Sequence, residues 1–316
     1  MKKISLVVPM YNEEEMIPLF FEKMNEVLEQ IKDYKFEFVL VNDGSKDNTL
    51  KLLKEQKKKQ NNIKIVSFSR NFGHEAAVCA GFAHADGDAT IVMDADLQDP
   101  PEVISKMLEK YEEGYKVVNG KRVDRKKDSF LKRTTAAMFY KLIKKLSGKI
   151  KVPENVGNYR LLDKEVVKYL NSLTEKNRVF RVQVPYIGFK TCEVEFVRPE
   201  RPKGETHYNY KSMFKLAIDS ITSSSVAPLI WPMLFGIFGG GLFGVIFVAG
   251  LVLWIIQMVN PLFIPTFNTL GFLILDSIFL GVCIILVFLG IIGIYLSKIT
   301  TESQDRPVYI VDEYID

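Results

Sequence analysis

Two carboxylates one residue apart, Asp94 and Asp96, close the apolar run Ala89-Thr90-Ile91-Val92-Met93 and are followed by Gln98, Asp99 and Pro100-Pro101. Such a run reads as a buried strand of a parallel sheet. The prolines cannot continue it, so the acidic cluster is expected at the strand's carboxyl end. Open α/β sheets bind ligands there. Hard carboxylate oxygens on a turn, with the Gln98 amide in reach, suit Mg2+ or Mn2+ with positions left open for substrate phosphate. The chemistry indicated is metal-assisted handling of a nucleotide diphosphate. The competing reading is that Asp-x-Asp only shapes a turn, since Asp is a common turn residue.

A turn of this kind needs a sheet to hold it. Residues 4–10, 36–42, 63–68 and 89–93 are short β-rich runs, and residues 13–32, 48–60 and 74–85 between them carry helical patterns. This alternation predicts an α/β domain with a mostly parallel, doubly wound sheet. A further strand, 116–119, leads into the basic segment Lys121 to Lys127 and a basic helix ending near Lys149. The lysine run 57–59 reads as a solvated helix face. Met1-Lys2-Lys3 before residues 4–10 resembles the start of a signal peptide, but the apolar run is too short and is closed by Asn12-Glu13-Glu14-Glu15, so a strand is expected.

The 316 residues allow more than one domain, and an apolar content of 47% conceals a sharp division. No Asp, Glu, Lys or Arg occurs between Asp219 and Asp276, whereas the first two hundred residues are densely charged. Two apolar runs, about 228–259 and 267–299, each exceed the roughly 20 residues needed to cross a bilayer. They predict two transmembrane helices. Lys211 and Lys215 precede the first, Lys298 and Arg306 follow the second, and residues 257–271 between them hold no basic residue. Both termini are therefore expected on the cytoplasmic side. An amphipathic stretch at 211–221 is expected to lie in the membrane interface. Cys79, Cys192 and Cys283 are scattered singly, with neither zinc spacing nor a disulfide framework.

Four segments fall at the carboxyl ends of consecutive expected strands: Val8 to Glu13, Val41 to Asp47, Ser69 to Gly73, and Asp94-Ala95-Asp96. In a doubly wound sheet they converge on one crevice. Together with the two apolar runs they resemble family 2 glycosyltransferases of the GT-A fold, and more narrowly the polyisoprenyl-phosphate glycosyltransferases, over nearly the whole chain. The resemblance implies a GT-A nucleotide-sugar-binding catalytic domain at 1–163. After it come an acceptor loop with interfacial helices at 164–227, a two-helix transmembrane domain at 228–299 and a cytoplasmic tail at 300–316. It further implies that Pro9, Tyr11, Glu13, Asp43, Arg70 and Asp94 hold the nucleotide, and that Asp94, Asp96 and Gln98 hold Mg2+ or Mn2+. Arg122, Arg133 (or Lys132) and Arg201 are implied near the acceptor phosphate, where guanidinium suits bidentate contacts.

The expected activity is inverting transfer of one sugar, with UDP-glucose or UDP-N-acetylglucosamine as leading donors, to a polyisoprenyl phosphate in the membrane. No nucleic-acid partner is expected. Related glucosyltransferases often have an Asp where this chain has Asn158, and an amide cannot serve as a base. A processive polysaccharide synthase would share the Asp-x-Asp pair, yet no Gln-x-x-Arg-Trp motif is present. A catalytically silent membrane scaffold is the alternative that is not an enzyme. His74, His84 and His207 have no partners at metal-ligand spacing and read as ordinary solvated or core residues. Asp276 stands inside the second apolar run. Gly236, Gly240 and Gly244 form a ridge of small residues open to self-association or to packing of the two spans.

Overall fold

A computed structural model describes residues 1–123, 153, 155–199 and 267–316, together with positions 245, 248, 252 and 259. The chain begins with β1 (Lys2–Met10), α1 (Ile17–Leu28), β2 (Tyr34–Asn42), α2 (Thr49–Lys59), β3 (Ile63–Phe68), α3 (His74–His84), β4 (Ala89–Val92), α4 (Val103–Glu112) and β5 (Val117–Arg122). It continues with β6 (Val156–Asp163), α5 (Lys164–Ser172), α6 (Phe180–Ile187), β7 (Thr191–Phe196), α7 (Phe267–Ser303) and β8 (Val311–Ile315). The strands form one eight-stranded sheet in the order β7-β5-β6-β4-β1-β2-β3-β8. β1 pairs in parallel with both β2 and β4, and β2 pairs in parallel with β3. β6 enters antiparallel between β4 and β5, β7 runs parallel to β5, and β8 closes the β3 edge antiparallel.

The period-two alternation of β1 divides the core. Ile4, Leu6, Val8 and Met10 pack on one face with Phe20, Phe21 and Met24 of α1 and Ile104 and Met107 of α4, while Val7 packs on the other with Val78 and Phe82 of α3. Both faces of the central strands are covered, which is why β1 reads as a nearly continuous apolar run. Ile17, Phe20, Phe21, Met24 and Val27 of α1 are buried at helical spacing. α3 lies close on β1 because Gly81 has no Cβ, which would stand 2.1 Å from Val7 Cγ1. Successive connections step from β1 to β2 to β3, and the chain then returns to place β4 on the other side of β1. That reversal opens a crevice at the carboxyl ends of β1 and β4.

The compact units divide elsewhere than at residue 163, where the catalytic domain was expected to end. One compact unit comprises Met1–Ser224 with Asp305–Asp316, and a second comprises Ser225–Gln304. The amphipathic pattern after residue 163 is directed at the sheet: Val166 and Leu170 of α5 and Phe180 and Val184 of α6 pack with Val7, Val39 and Phe82. Asp163 caps α5 by accepting from Glu165 N at 2.9 Å. The region expected to hold the acceptor loop and interfacial helices also contains β7, a strand of the same sheet. The tail at 300–316 supplies the last turn of α7 and the strand β8, to which the sequence reading assigned no element.

In the second unit, α7 spans 37 residues and covers the second apolar run. Ile278, Ile285, Leu289 and Leu296 are exposed on it. Counted over the described residues alone, no helix is long and apolar enough to cross a membrane. The interfacial helix expected at 211–221, the basic helix near Lys149 and most of the first apolar run, with the Gly236-Gly240-Gly244 ridge, lie outside the described residues.

Candidate active site

Three loops at the carboxyl ends of β1, β2 and β3 are laced together by hydrogen bonds. Asn12 N donates to Ser45 Oγ at 3.0 Å, Lys46 N to Asn12 Oδ1 at 2.9 Å, and Glu13 N to Thr49 Oγ1 at 2.9 Å. Gly44 takes φ +63°, and a Cβ there would stand 2.3 Å from the carbonyl carbon of Arg70. Only glycine allows the second and third loops to approach so closely. Asp43, 3% exposed, accepts from Phe72 N at 2.7 Å, Gly73 N at 3.0 Å and Asn71 Nδ2 at 3.0 Å. Burial raises the pKa of this carboxyl, with the loop amides opposing.

The acidic turn follows β4. Asp96 Oδ1 accepts from Gln98 N at 3.0 Å, which tightens the turn, and Leu97 between them is held at φ +58°. A branched residue in the left-handed region is strained backbone of the kind that gathers at functional sites. The strain is countered by anchors on either side: Leu97 packs against the main core, and Tyr159, 1% exposed, donates to Pro100 O at 2.8 Å. Asp99 is buried behind the turn and accepts from Asp94 N at 3.3 Å. Its other oxygen has no hydrogen-bond partner among the described residues and lies 3.7 Å from Arg122 Nη2. Burial and the neighbouring Asp94 charge push the Asp99 carboxyl up to about 7, against the pull of Arg122. Arg198 faces the same cluster: burial and Arg122 lower its pKa, while Asp96, Asp99 and Asp94 oppose the shift.

A second chain of contacts enters from α3, whose amino terminus opens toward the crevice. His74 Nε2 stands 3.0 Å from Asp94 Oδ1, and Asn158 Nδ2 stands 3.3 Å from His74 Nδ1. Asn158 Nδ2 also donates to Glu75 Oε1 at 3.3 Å, and Glu75 Oε2 accepts from Phe180 N at 3.2 Å. A neutral imidazole protonated on Nε2 satisfies this whole series. Partial desolvation resists charge on the ring, which is 43% exposed, yet the Asp94 carboxylate prevails and draws the His74 pKa up to about 9. A second proton on Nδ1 would meet the amide hydrogens of Asn158. Protonation therefore requires that amide to turn, which sets its oxygen against Glu75. Asp94 is held below the ordinary carboxylate range, burial opposing, with His74, Arg122 and Arg198 stabilising its charge.

The residues of the turn fit a divalent cation as a partial set. Asp94, Asp96 and the side-chain oxygen of Gln98 are hard donors suited to Mg2+ or Mn2+, and Gln98 Nε2 is directed to Pro199 O at 3.5 Å, which leaves that oxygen as the ligand atom. Among the described residues no three carboxylate, imidazole or thiol groups gather at metal-holding spacing. An ion here would complete its coordination with substrate oxygens, as Mg2+ does with phosphates.

Residues 5–170 match the profile of glycosyl transferase family 2. The chain is 42% identical over 311 residues to the uncharacterized glycosyltransferase YkcC of Bacillus subtilis (strain 168), covering 98% of this chain and 93% of that one. The chain belongs to glycosyl transferase family 2. It is also 40% identical over 310 residues, 98% of each chain, to the prophage bactoprenol glucosyl transferase homolog of Escherichia coli (strain K12). The bactoprenol glucosyl transferase of Shigella phage SfV is similar to the same degree, 40% over 310 residues and 98% of each chain. Among solved structures, glucosyl-3-phosphoglycerate synthase from Mycobacterium tuberculosis, in complex with Mn2+, UDP and phosphoglyceric acid, resembles it with a TM-score of 0.49. There the identity is 18%, with 70% of this chain and 76% of that one covered.

For this glycosyltransferase, the α/β architecture with a mostly parallel, GT-A-like sheet agrees with the sequence expectation. Of the expected site residues, Asp94, Asp96, Gln98, Arg122 and Asn158 come together around the β4 turn. Pro9, Tyr11 and Glu13 lie at and after the end of β1, beside the loop that carries Asp43. Arg70 is exposed, its guanidinium 4.2 Å from the Phe72 ring centroid. Arg133, its alternative Lys132, and Arg201 lie outside the described residues. His74 is corrected from an ordinary residue to a partner of Asp94, and His84 keeps the plain reading, with Nδ1 2.8 Å from Ala80 O. Glu75, Asp99 and Arg198 were assigned no role from the sequence. One signal for His74 was available: it opens a helix directly after a strand-end loop, and helix amino termini at that edge point toward ligands.

Proposed function

We propose that this glycosyltransferase moves one sugar, with inversion, from a UDP-sugar to a polyisoprenyl phosphate at the cytoplasmic face of a membrane. The observation that carries the reading is the strained Asp94–Gln98 turn at the β1/β4 reversal, faced by Arg122 and Arg198. Relatives named as bactoprenol glucosyl transferases over 98% of both chains support a lipid acceptor. UDP-glucose is the leading donor and UDP-N-acetylglucosamine the second.

In this reading Asp94, Asp96 and Gln98 hold Mg2+ or Mn2+, which when bound offsets the charge gathering on the departing diphosphate. Pro9, Tyr11, Glu13, Asp43 and Arg70 form the nucleotide side. Arg122, with Arg198 beside it and Arg133 and Arg201 from the neighbouring basic segments, draws the acceptor phosphate to the site. A phosphate oxygen bonds to the anomeric carbon as the bond to the diphosphate breaks, and the electron pair leaves with the nucleotide. One in-line displacement inverts the anomeric centre. A phosphate monoester with a second pKa of about 6 is mostly dianionic at neutral pH, so no protein base is needed and Asn158 is free to orient. The apolar runs 228–259 and 267–299 anchor the enzyme, both termini facing the cytoplasm.

The test uses the purified full chain in detergent with Mn2+, undecaprenyl phosphate and radiolabelled UDP-glucose or UDP-N-acetylglucosamine. A labelled lipid that requires both metal and acceptor is expected. Label transfer to no lipid from either donor would remove the reading.

A further inference from the structure

The segment that follows α7 returns to the catalytic unit beside one of the loops of the crevice. β8 pairs antiparallel with β3, Ile65 opposite Ile315 and Phe68 opposite Val311, and the ladder ends with Ser69 N donating to Ile310 O at 3.1 Å. Just before β8, the Tyr309 ring stacks on Phe68 with centroids 4.9 Å apart and planes 15° apart. Phe68 meets Phe72 edge-on at 5.7 Å. Phe72 carries the backbone amide nearest to Asp43, at 2.7 Å, and its ring lies under the Arg70 guanidinium. Val308 and Tyr309 pack into the cluster formed by Val41, Val66, Phe68 and Ala76. Two ion pairs, Lys54 with Glu313 and Lys176 with Asp305, each at 2.6 Å, fix the segment on either side.

The geometry points to Tyr309 as a positioning residue for the nucleotide side of the site, acting through Phe68 and Phe72 on the loop 69–73. The inference rests on the reading of that loop as part of the donor site. Phe68 is the last residue of β3, so the direction of the chain on leaving the sheet depends on what its ring packs against. From the far side that support is Tyr309. The loop in turn engages both carboxylate oxygens of Asp43, from the neighbouring strand end. A stacked ring and an edge-on ring in series are directional contacts, which a general apolar filling would not reproduce. Removing the outer ring should release the orientation of Phe72, and with it the Asp43 bonds and the place of Arg70. The acidic turn is held by other anchors, Tyr159 and Leu97, and should be unaffected.

The experiment compares full-length Tyr309→Ala, Tyr309→Leu and Tyr309→Phe with the parent chain in detergent. It measures UDP affinity with Mn2+ by calorimetry, lipid-phosphate KM, and hydrogen–deuterium exchange of residues 69–73. For Tyr309→Ala we expect UDP binding weaker by about five-fold, the scale of one stacked aromatic pair, with faster exchange at Phe72 and Gly73 and an unchanged lipid KM. Tyr309→Phe should restore the UDP affinity and the slow exchange, again with an unchanged lipid KM. If the alanine variant fails to fold, Tyr309→Leu keeps the apolar volume and decides the same question. Parental exchange at 69–73 in a folded variant without the ring would overturn the inference, as would equal loss of UDP and lipid affinity. A parent chain that binds no UDP would overturn the donor reading instead, and the exchange measurement would still decide the coupling.

Discussion

Asn158 sits between two groups of opposite demand. Its amide nitrogen approaches both His74 Nδ1 and Glu75 Oε1 at 3.3 Å, and its oxygen is buried without a hydrogen-bond partner among the described residues. Exchange for Asp removes the amide donor that faces both His74 Nδ1 and Glu75 Oε1 and places a second carboxylate against Glu75, a repulsion that low local dielectric amplifies. Asn158→Asp is therefore expected to turn over no faster than the parent, with a pH–rate profile still governed by the acceptor phosphate near its second pKa of about 6. A many-fold faster enzyme titrating with a new carboxylate would show that a general base helps after all. Asp96 calls for the opposite experiment. Asp96→Asn keeps the shape of the turn and an oxygen for Gln98 N but drops a charge aimed at the leaving group, so turnover with saturating Mn2+ should fall by about 100-fold or more. Unchanged thermal melting would assign that loss to chemistry, and near-parental turnover would remove Asp96 from the site.

Elements that were visible in the sequence are those whose periodicity is local. β3 was expected at 63–68 and spans Ile63–Phe68, and α3 was expected at 74–85 and spans His74–His84. β6 and β7 went unassigned because neither is an unbroken apolar run. β6 carries Gly157, Asn158 and Arg160 among its apolar residues, and β7 alternates Glu with buried Val194 and Phe196. The Asp94–Asp96 turn could be read because both carboxylates and the preceding strand are contiguous. The His74–Asp94 contact could not, since it exists only once α3 is folded onto β1.

Glu37 at the start of the buried part of β2 belongs to the same level. It is 4% exposed and accepts from Ser5 Oγ and from Asp86 N, with Lys3 Nζ at 2.5 Å and Lys64 Nζ at 3.4 Å. Burial alone would raise its pKa, but bonds from Lys3, Ser5 and the Asp86 amide outweigh burial and lower it. A carboxylate lowered in the folded state stabilises above its unfolded pKa, and that contribution disappears as pH falls through the folded value. Glu37→Gln should thus cost about 2 kcal/mol at pH 7, a figure reduced for the exposure of Lys3. The difference from the parent in urea midpoint should shrink steadily below pH 4.5, the ordinary carboxyl value. A difference that is flat across this range would argue against the pairing.

At the scale of the whole molecule, the proposed anchoring has a direct check. Single cysteines introduced at Asn260 should react with a membrane-impermeant thiol reagent from outside intact cells, and cysteines at Glu313 should not. The reverse pattern would place the catalytic unit away from cytoplasmic sugar nucleotides. The sheet edge bears on a different matter, the order in which the protein can be made. Lys54 and Glu313 are joined across 259 residues of sequence, and β3 receives its outer partner only from residues that follow α7. During synthesis at about 5–20 residues per second, β1 to β4 can pair early, while β3 waits with an open edge until the apolar runs and α7 have left the ribosome. An open edge is a template for wrong pairing. The last strand thus ties completion of the catalytic sheet to completion of the segment proposed to enter the bilayer, so a chain arrested before residue 311 should be recognised by proteases as unfinished.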